Sequence, residues 1–274
     1  MSRKVEELLI LTKTYPSPST KHRETTCVAA ITREGEMRRL FPVPYRFLTG
    51  ASQFKKWEWI RASLATTTAD QRPESRRIDV DSIELLGERV GTDDSWFERL
   101  RIIEPHVLED FYSLEARRKA SGETLGFIRP KGISAFEITP AKPPSWDDAD
   151  YQKLAQDGLF DTAEMRNRVV LRKVPFDYHY KYISGENVYR HKVIDWEAGA
   201  LYWNCLHSYG EEGWEEKFRY KFDAEFQKKD LLFLMGTIHR FPDRWLIVGL
   251  IYPPKRQPAP ATEQLGLGLD QLGG

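Results

Sequence analysis

Short apolar runs with a period near two dominate the first 90 residues. Segments 5–12, 26–32, 37–43, 57–67 and 77–86 are rich in Val, Ile, Thr and aromatics and are bounded by Gly, Pro or polar clusters, which predicts five strands. ITREGEMRRL predicts a hairpin turning at Glu34-Gly35. Five strands without a long intervening helix suggest a small antiparallel barrel rather than a βαβ fold. From Asp93 to Arg118 the period changes to helical, with Trp96, Leu100, Ile103, Leu108, Phe111 and Leu114 recurring and a break at Glu104-Pro105. GETLGFIRPKGISAFEITP then predicts a short strand pair, and AKPPSWDDADYQKLAQ a Pro-rich spacer leading into a helix start.

The last third opens with two expected strands, RVVLRKV and PFDYHYKYI. Helices are expected over 195–208, with Asp195 as N-cap, and over 211–227, where Trp214, Phe218, Phe222 and Phe226 recur at i, i+4 as a core stripe. DLLFLMGTI and RWLIVGLIYPP are apolar strands. The expected organisation is α+β: a β-barrel domain with a helical insertion over 1–145 and an α+β domain with an aromatic strand and two helices over 165–255. A tail over 256–274 has little to bury and is expected to be disordered.

Charge refines the picture. The formal net charge is zero, but residues 1–80 hold 15 Lys/Arg against 9 Asp/Glu, 81–165 hold 10 against 18, and 166–274 hold 16 against 14. Basic ends flank an acidic middle, which is unlike a uniformly basic DNA coater. Cys27 and Cys205 match no metal spacing and are expected as buried free thiols. No run approaches the roughly 20 apolar residues of a membrane span and the N-terminus has no leader-like apolar segment, so a cytoplasmic protein without membrane partners is expected.

Enzyme signatures are absent from the sequence: no P-loop, no GxGxxG, no HExxH, no GxSxG. The best catalytic grouping is His191, Asp195 and Glu197 in HKVIDWE, where a His and two carboxylates could hold a divalent ion for a nuclease or base-acting hydrolase. The competing reading is structural, with Asp195 as a helix cap and Glu197 as a first-turn acid. No cofactor or metal is expected.

Nucleic-acid features are richer. MRRLFPVPYRFL sets Arg38, Arg39 and Arg46 beside Phe41, Tyr45 and Phe47, and FKKWEWIR sets Lys55, Lys56 and Arg61 beside Trp57 and Trp59, two rings expected in the core. Cations for phosphates and rings for bases are what single-strand binders need. In PFDYHYKYI, Phe176, Tyr178, Tyr180 and Tyr182 share one face, either core lid or stacking platform, with Arg166, Arg168, Arg172 and Lys173 alongside. TKTYPSPSTK, residues 12–21, is too rich in proline to continue a ladder and is expected to be a binding loop. Lys13, Lys21, Arg23, Arg39, Arg46 and Arg172 are the expected phosphate contacts, and Tyr15, Tyr45 and Tyr180 the stacking faces. The tail's Gln264, Leu265, Leu267 and Leu269 resemble the short QLxLxL-type peptides that dock on the bacterial DNA sliding clamp.

LILTKTYPSPSTKHRETTCVAAIT, a Gly turn and MRRLFPV resemble the start of the dual OB-fold domain family of bacterial and phage-conflict proteins, through Lys13, Cys27, Ala29, Gly35, Arg39, Leu40 and Pro42. The resemblance covers about 60 residues well. It implies an OB-like barrel, DNA-related or defence gene neighbourhoods, and a nucleic-acid-binding role without established catalysis. The expected function is a non-enzymatic accessory protein in DNA metabolism or anti-phage defence, binding single-stranded, distorted or modified DNA, or RNA. A metal-dependent hydrolase and a clamp-docking adaptor are the alternatives.

Overall fold

The computed structural model describes residues 3–67, 69–156 and 169–255. The apolar runs of the first third become β1 (Arg3–Lys13), β3 (Arg23–Thr32), β4 (Met37–Val43), β5 (Glu58–Ala65) and β6 (Ser75–Arg89), with a three-residue β2 (Ser17–Ser19) added to the edge of β3. They close in the order β1-β5-β6-β4-β3-β1, with only β4–β6 parallel, giving a five-stranded barrel compatible with an OB-like fold. Gly35 takes φ +86° in the hairpin between β3 and β4, the left-handed conformation that glycine tolerates best.

Period-two alternation sorts the barrel's side chains. Leu8, Ile10, Val28, Ala30, Leu40 and Ile60 fill its interior. Their neighbours Leu9, Leu11, Ala29 and Ile31 point outward, yet all are buried, because a second sheet covers that wall. Trp57 and Trp59 join this inter-domain layer as core, as expected.

The second sheet has seven strands in the order β7-β8-β12-β13-β11-β10-β9, formed by β7 (Val107–Leu108), β8 (Leu125–Ile128), β9 (Gly132–Pro140), β10 (Phe176–Ser184), β11 (Asn187–Val193), β12 (Leu232–Ile238) and β13 (Phe241–Ile251). α1 (Asp93–Ile103), α2 (Phe111–Ser121) and α3 (Asp148–Ala155) connect or flank it, and α4 (Trp196–Arg219) packs across one face. In β12, Leu232 and Leu234 face the barrel while Phe233 and Met235 face α4. That double burial explains why LLFLM reads as a continuous apolar run.

Two expectations are corrected. The strands of residues 107–140 belong to the second sheet, so the sheet divides the chain near residue 105 instead of between 140 and 165. Local periodicity shows that Leu125–Ile128 is a strand but not that it pairs with β12, about a hundred residues away. RVVLRKV forms no strand over its described residues 169–174, since both edges of β10 are taken by β9 and β11 and Val169 and Val170 are exposed. The two expected C-terminal helices follow one another in α4 and are separated at Gly210, φ 70° and ψ −176°, where the sequence places the break; a wide π-type turn over Tyr220–Glu225 ends the second. Trp214, Phe218, Phe222 and Phe226 nonetheless remain one buried stripe, with Phe218 and Phe222 stacked at 4.7 Å. Cys27 and Cys205 are free. Among the described residues no helix is long and apolar enough to cross a membrane.

Candidate nucleic-acid interface

The stretch leaving β1 is anchored instead of swinging free. Thr14 bridges to Asp195 in antiparallel fashion, and the Tyr15 amide donates to the Ile194 carbonyl at 2.8 Å. Barrel and second domain therefore share backbone hydrogen bonds. The Tyr15 ring lies on the backbone of α4 at Gly199, where a Cβ would overlap the ring carbons. Its hydroxyl accepts from Trp203 Nε1 at 2.9 Å and donates to the Arg172 carbonyl at 2.9 Å. Tyr15 is thus a wedge between domains, not the exposed stacking face expected, and burial raises its phenol pKa.

Beside this wedge, side chains from both domains meet. The Lys13 ammonium sits 4.2 Å from the centroid of Tyr45 and 5.3 Å from that of Trp196, and these two rings meet edge to face at 5.3 Å. Lys13 has no ion pair among the described residues. Burial pushes it below the ordinary lysine value, Lys56 pushes the same way, and Glu197 and Asp195 oppose them. Lys56 itself donates to Glu197 Oε2 at 3.2 Å and to the Leu250 carbonyl at 2.9 Å, and lies 4.0 Å from Asp195 Oδ2. Asp195 caps α4 by accepting from the Glu197 amide at 2.8 Å and takes the Leu250 amide at 2.9 Å; burial pushes its carboxyl up to about 6.

The cluster continues outward. The Arg172 guanidinium, exposed and without a carboxylate partner among the described residues, lies 3.8 Å from the Trp203 ring centroid. Arg46 pairs with buried Glu24 at 2.9 Å and also donates to the Val169 carbonyl. Arg23 donates to the Gln156 carbonyl and lies over Phe47. Lys21 is exposed in the turn after β2. Near it His22, Arg3 and Arg77 line a cavity of about 170 Å³ on the barrel. Burial lowers the His22 pKa, with Arg77 and Lys21 adding to the effect.

Lys13, Tyr15, Tyr45, Arg46 and Arg172 therefore come together, and Lys21 stands at the same loop. Arg39 does not join them. It is buried, donating across the domain boundary to the Thr124 carbonyl at 2.9 Å and pairing within the barrel with Glu74 at 3.3 Å, so it cannot reach a phosphate. Tyr180 is fully buried in the aromatic core with its hydroxyl donating to the Phe222 carbonyl, and offers no stacking face. The strand PFDYHYKYI is a core lid, because α4 covers the face its rings share.

The three residues of the alternative metal grouping are not brought together. Asp195 and Glu197 are held by Lys56, whereas the His191 ring packs among Phe111, Tyr182 and Tyr189 with Nδ1 3.0 Å from the Tyr182 hydroxyl. No set of three His, Cys, Asp or Glu able to hold a metal occurs among the described residues. Gln264, Leu265, Leu267 and Leu269, like Arg166 and Arg168, lie outside the described residues.

Sequence reasoning missed Trp196 and Trp203. Seven residues apart on α4, they share one helical face, a spacing visible in DWEAGALYW once the helix is recognised. The barrel's outer wall is a further surprise. OB barrels bind oligonucleotides on the face of their second and third strands and on adjoining loops. Here Ala29 and Ile31 of that face are sealed against the second sheet, leaving the loop after β1 as the accessible part.

Two family models match the chain. One, described as a domain of unknown function (DUF8757), matches residues 109–268, and another, likewise a domain of unknown function (DUF8758), matches residues 4–105. No curated protein matches. The DUF8757 match spans more than half of the chain, which belongs to that family.

Proposed function

We propose that this member of the DUF8757 family binds nucleic acid, single-stranded or distorted, across the seam between the loop after β1 and the first turns of α4. The observation that carries the reading is Arg172 stacked on Trp203 with no carboxylate among the described residues to neutralise it, next to the Lys13, Tyr45 and Trp196 group. A guanidinium on an indole is preorganised to meet a phosphate or the face of a base. Lys21 and Arg77 extend the positive edge along the barrel. Many other surface cations, such as Arg33, Arg61 and Arg190, are neutralised by carboxylates. A role in DNA metabolism or defence accords with the family resemblance at the N-terminus.

Anisotropy titrations of labelled single-stranded DNA, single-stranded RNA and mismatched duplex over a range of salt test this. Log affinity should fall steeply with log salt, by about 0.7 per phosphate contact on single strands, and Arg172→Ala with Lys21→Ala should flatten that slope by about one contact each. Absent or salt-independent binding to every substrate overturns the reading; an unchanged slope in the double variant moves the site elsewhere.

A further inference from the structure

A second cationic site lies in the C-terminal domain, built by other elements. Arg129, Lys131, Lys229 and Lys255 line one cavity of about 450 Å³, with Asp230 as the sole carboxylate in its wall among the described residues. Asp230 is taken by Arg129 at 3.1 Å, and Arg129 is shared further with Glu104 at 3.3 Å. Lys131, Lys229 and Lys255 have no carboxylate within 4.0 Å among the described residues. Asp110, outside this wall, interacts with the charge of Lys131, yet the lining carries four cations against one carboxylate among the described residues, a balance that favours an anion.

The backbone beneath them is fixed. The Lys131 amide donates to the Ile183 carbonyl at 2.9 Å, which ties the turn between β8 and β9 to β10. The Lys229 amide donates to the Phe226 carbonyl at 3.0 Å, the Asp230 amide donates to the Pro253 carbonyl at 2.9 Å, and Lys229 bridges to Pro254. The backbone at Lys229 is therefore held against Pro254, the residue before Lys255, before any ligand arrives. Pro130, Ile133 and Leu231 supply apolar wall. A cavity of this size suits one small ligand, whereas a tracked strand needs an open groove.

We infer that this cleft binds a compact oligophosphate, an anion carrying two or three adjoining phosphate groups, either free or borne on a nucleoside. Lysine ammonium groups with three donors each match such an anion without base recognition. The site is independent of the proposed strand-binding seam, since no residue is shared.

Calorimetric titration of the full chain with inorganic tripolyphosphate, adenosine triphosphate and orthophosphate tests it. Tripolyphosphate and the nucleoside triphosphate should bind, and orthophosphate at least about tenfold more weakly. Equal affinity for the first two identifies the phosphate chain as the whole determinant, and tighter nucleotide binding adds the apolar wall. Lys131→Ala with Lys229→Ala should weaken both by about tenfold or more, as should Lys255→Gln alone to a smaller degree, while Lys119→Ala leaves them unchanged. Unfolding midpoints equal to the parent's establish that the variants fold. No binding at millimolar concentration, orthophosphate binding as tightly as tripolyphosphate, or full binding by the folded variants overturns the inference.

Discussion

Tyr15 of the barrel and Gly199 of α4 are in direct contact, the phenol ring occupying the space a side chain at 199 would need. One consequence is that Gly199→Ala overpacks the domain boundary, with a stability loss of about 1 to 3 kcal/mol. Urea unfolding of Gly199→Ala, Tyr15→Ala and the double variant checks this. The double variant should lose less than the two single changes added, because deleting the ring makes room for the new methyl.

Arg39 separates two roles that its sequence context confounds. It lies in a basic, aromatic-rich segment, yet its guanidinium is spent on Thr124 and Glu74. Arg39→Ala leaves Glu74 buried without its cation and should cost about 3 to 5 kcal/mol. The salt slope of nucleic-acid binding by the fraction still folded should stay at the parent value. A reduced slope would return Arg39 to the binding surface.

The pH response should carry a signature from His191. Burial holds this imidazole down to about 4, with His179 nearby adding to the effect, against an ordinary value of 6.5. A histidine that is neutral when folded binds fewer protons in the native state than in the unfolded state across that interval. Its contribution is therefore complete above pH 6.5 and is lost as pH falls towards 4, on the order of 3 kcal/mol in all. Denaturant midpoints between pH 4 and 7 should be flatter in His191→Phe than in the parent. An equally steep response would assign the loss to the other half-buried histidines, His22, His106 and His179, which shift in the same direction.

Tyr180→Phe removes only the hydroxyl that donates to the Phe222 carbonyl. It should cost about 1 to 3 kcal/mol, since an acceptor is left in the aromatic core. Nucleic-acid affinity should not change. Loss of affinity at unchanged stability would restore the ring as a stacking face.

Strands, the Asp195 cap and the Phe stripe are legible in the sequence because each is a local pattern: an alternation, a capping residue, an i, i+4 repeat. Partnership is not. Whether Leu9 or Ile31 faces water depends on Leu232 and Val248, more than two hundred residues on, and period two is blind to what covers a face. The same blindness made Arg39 resemble a surface cation and Tyr180 a stacking ring. Lys13, Tyr45 and Arg172 were found by their composition, a cation among rings, but only the fold shows that Trp196 and Trp203 complete the group.

The wall formed by Leu9, Leu11, Ala29 and Ile31 is made early in synthesis, and the strands that shield it, β12 and β13, are made about two hundred residues later. A growing chain must therefore carry a greasy flank on its barrel until about residue 251 has left the ribosome. Translation that stalls before β12 would leave that flank open to other chains, so synthesis through β13 is itself what makes the barrel safe in a crowded cell.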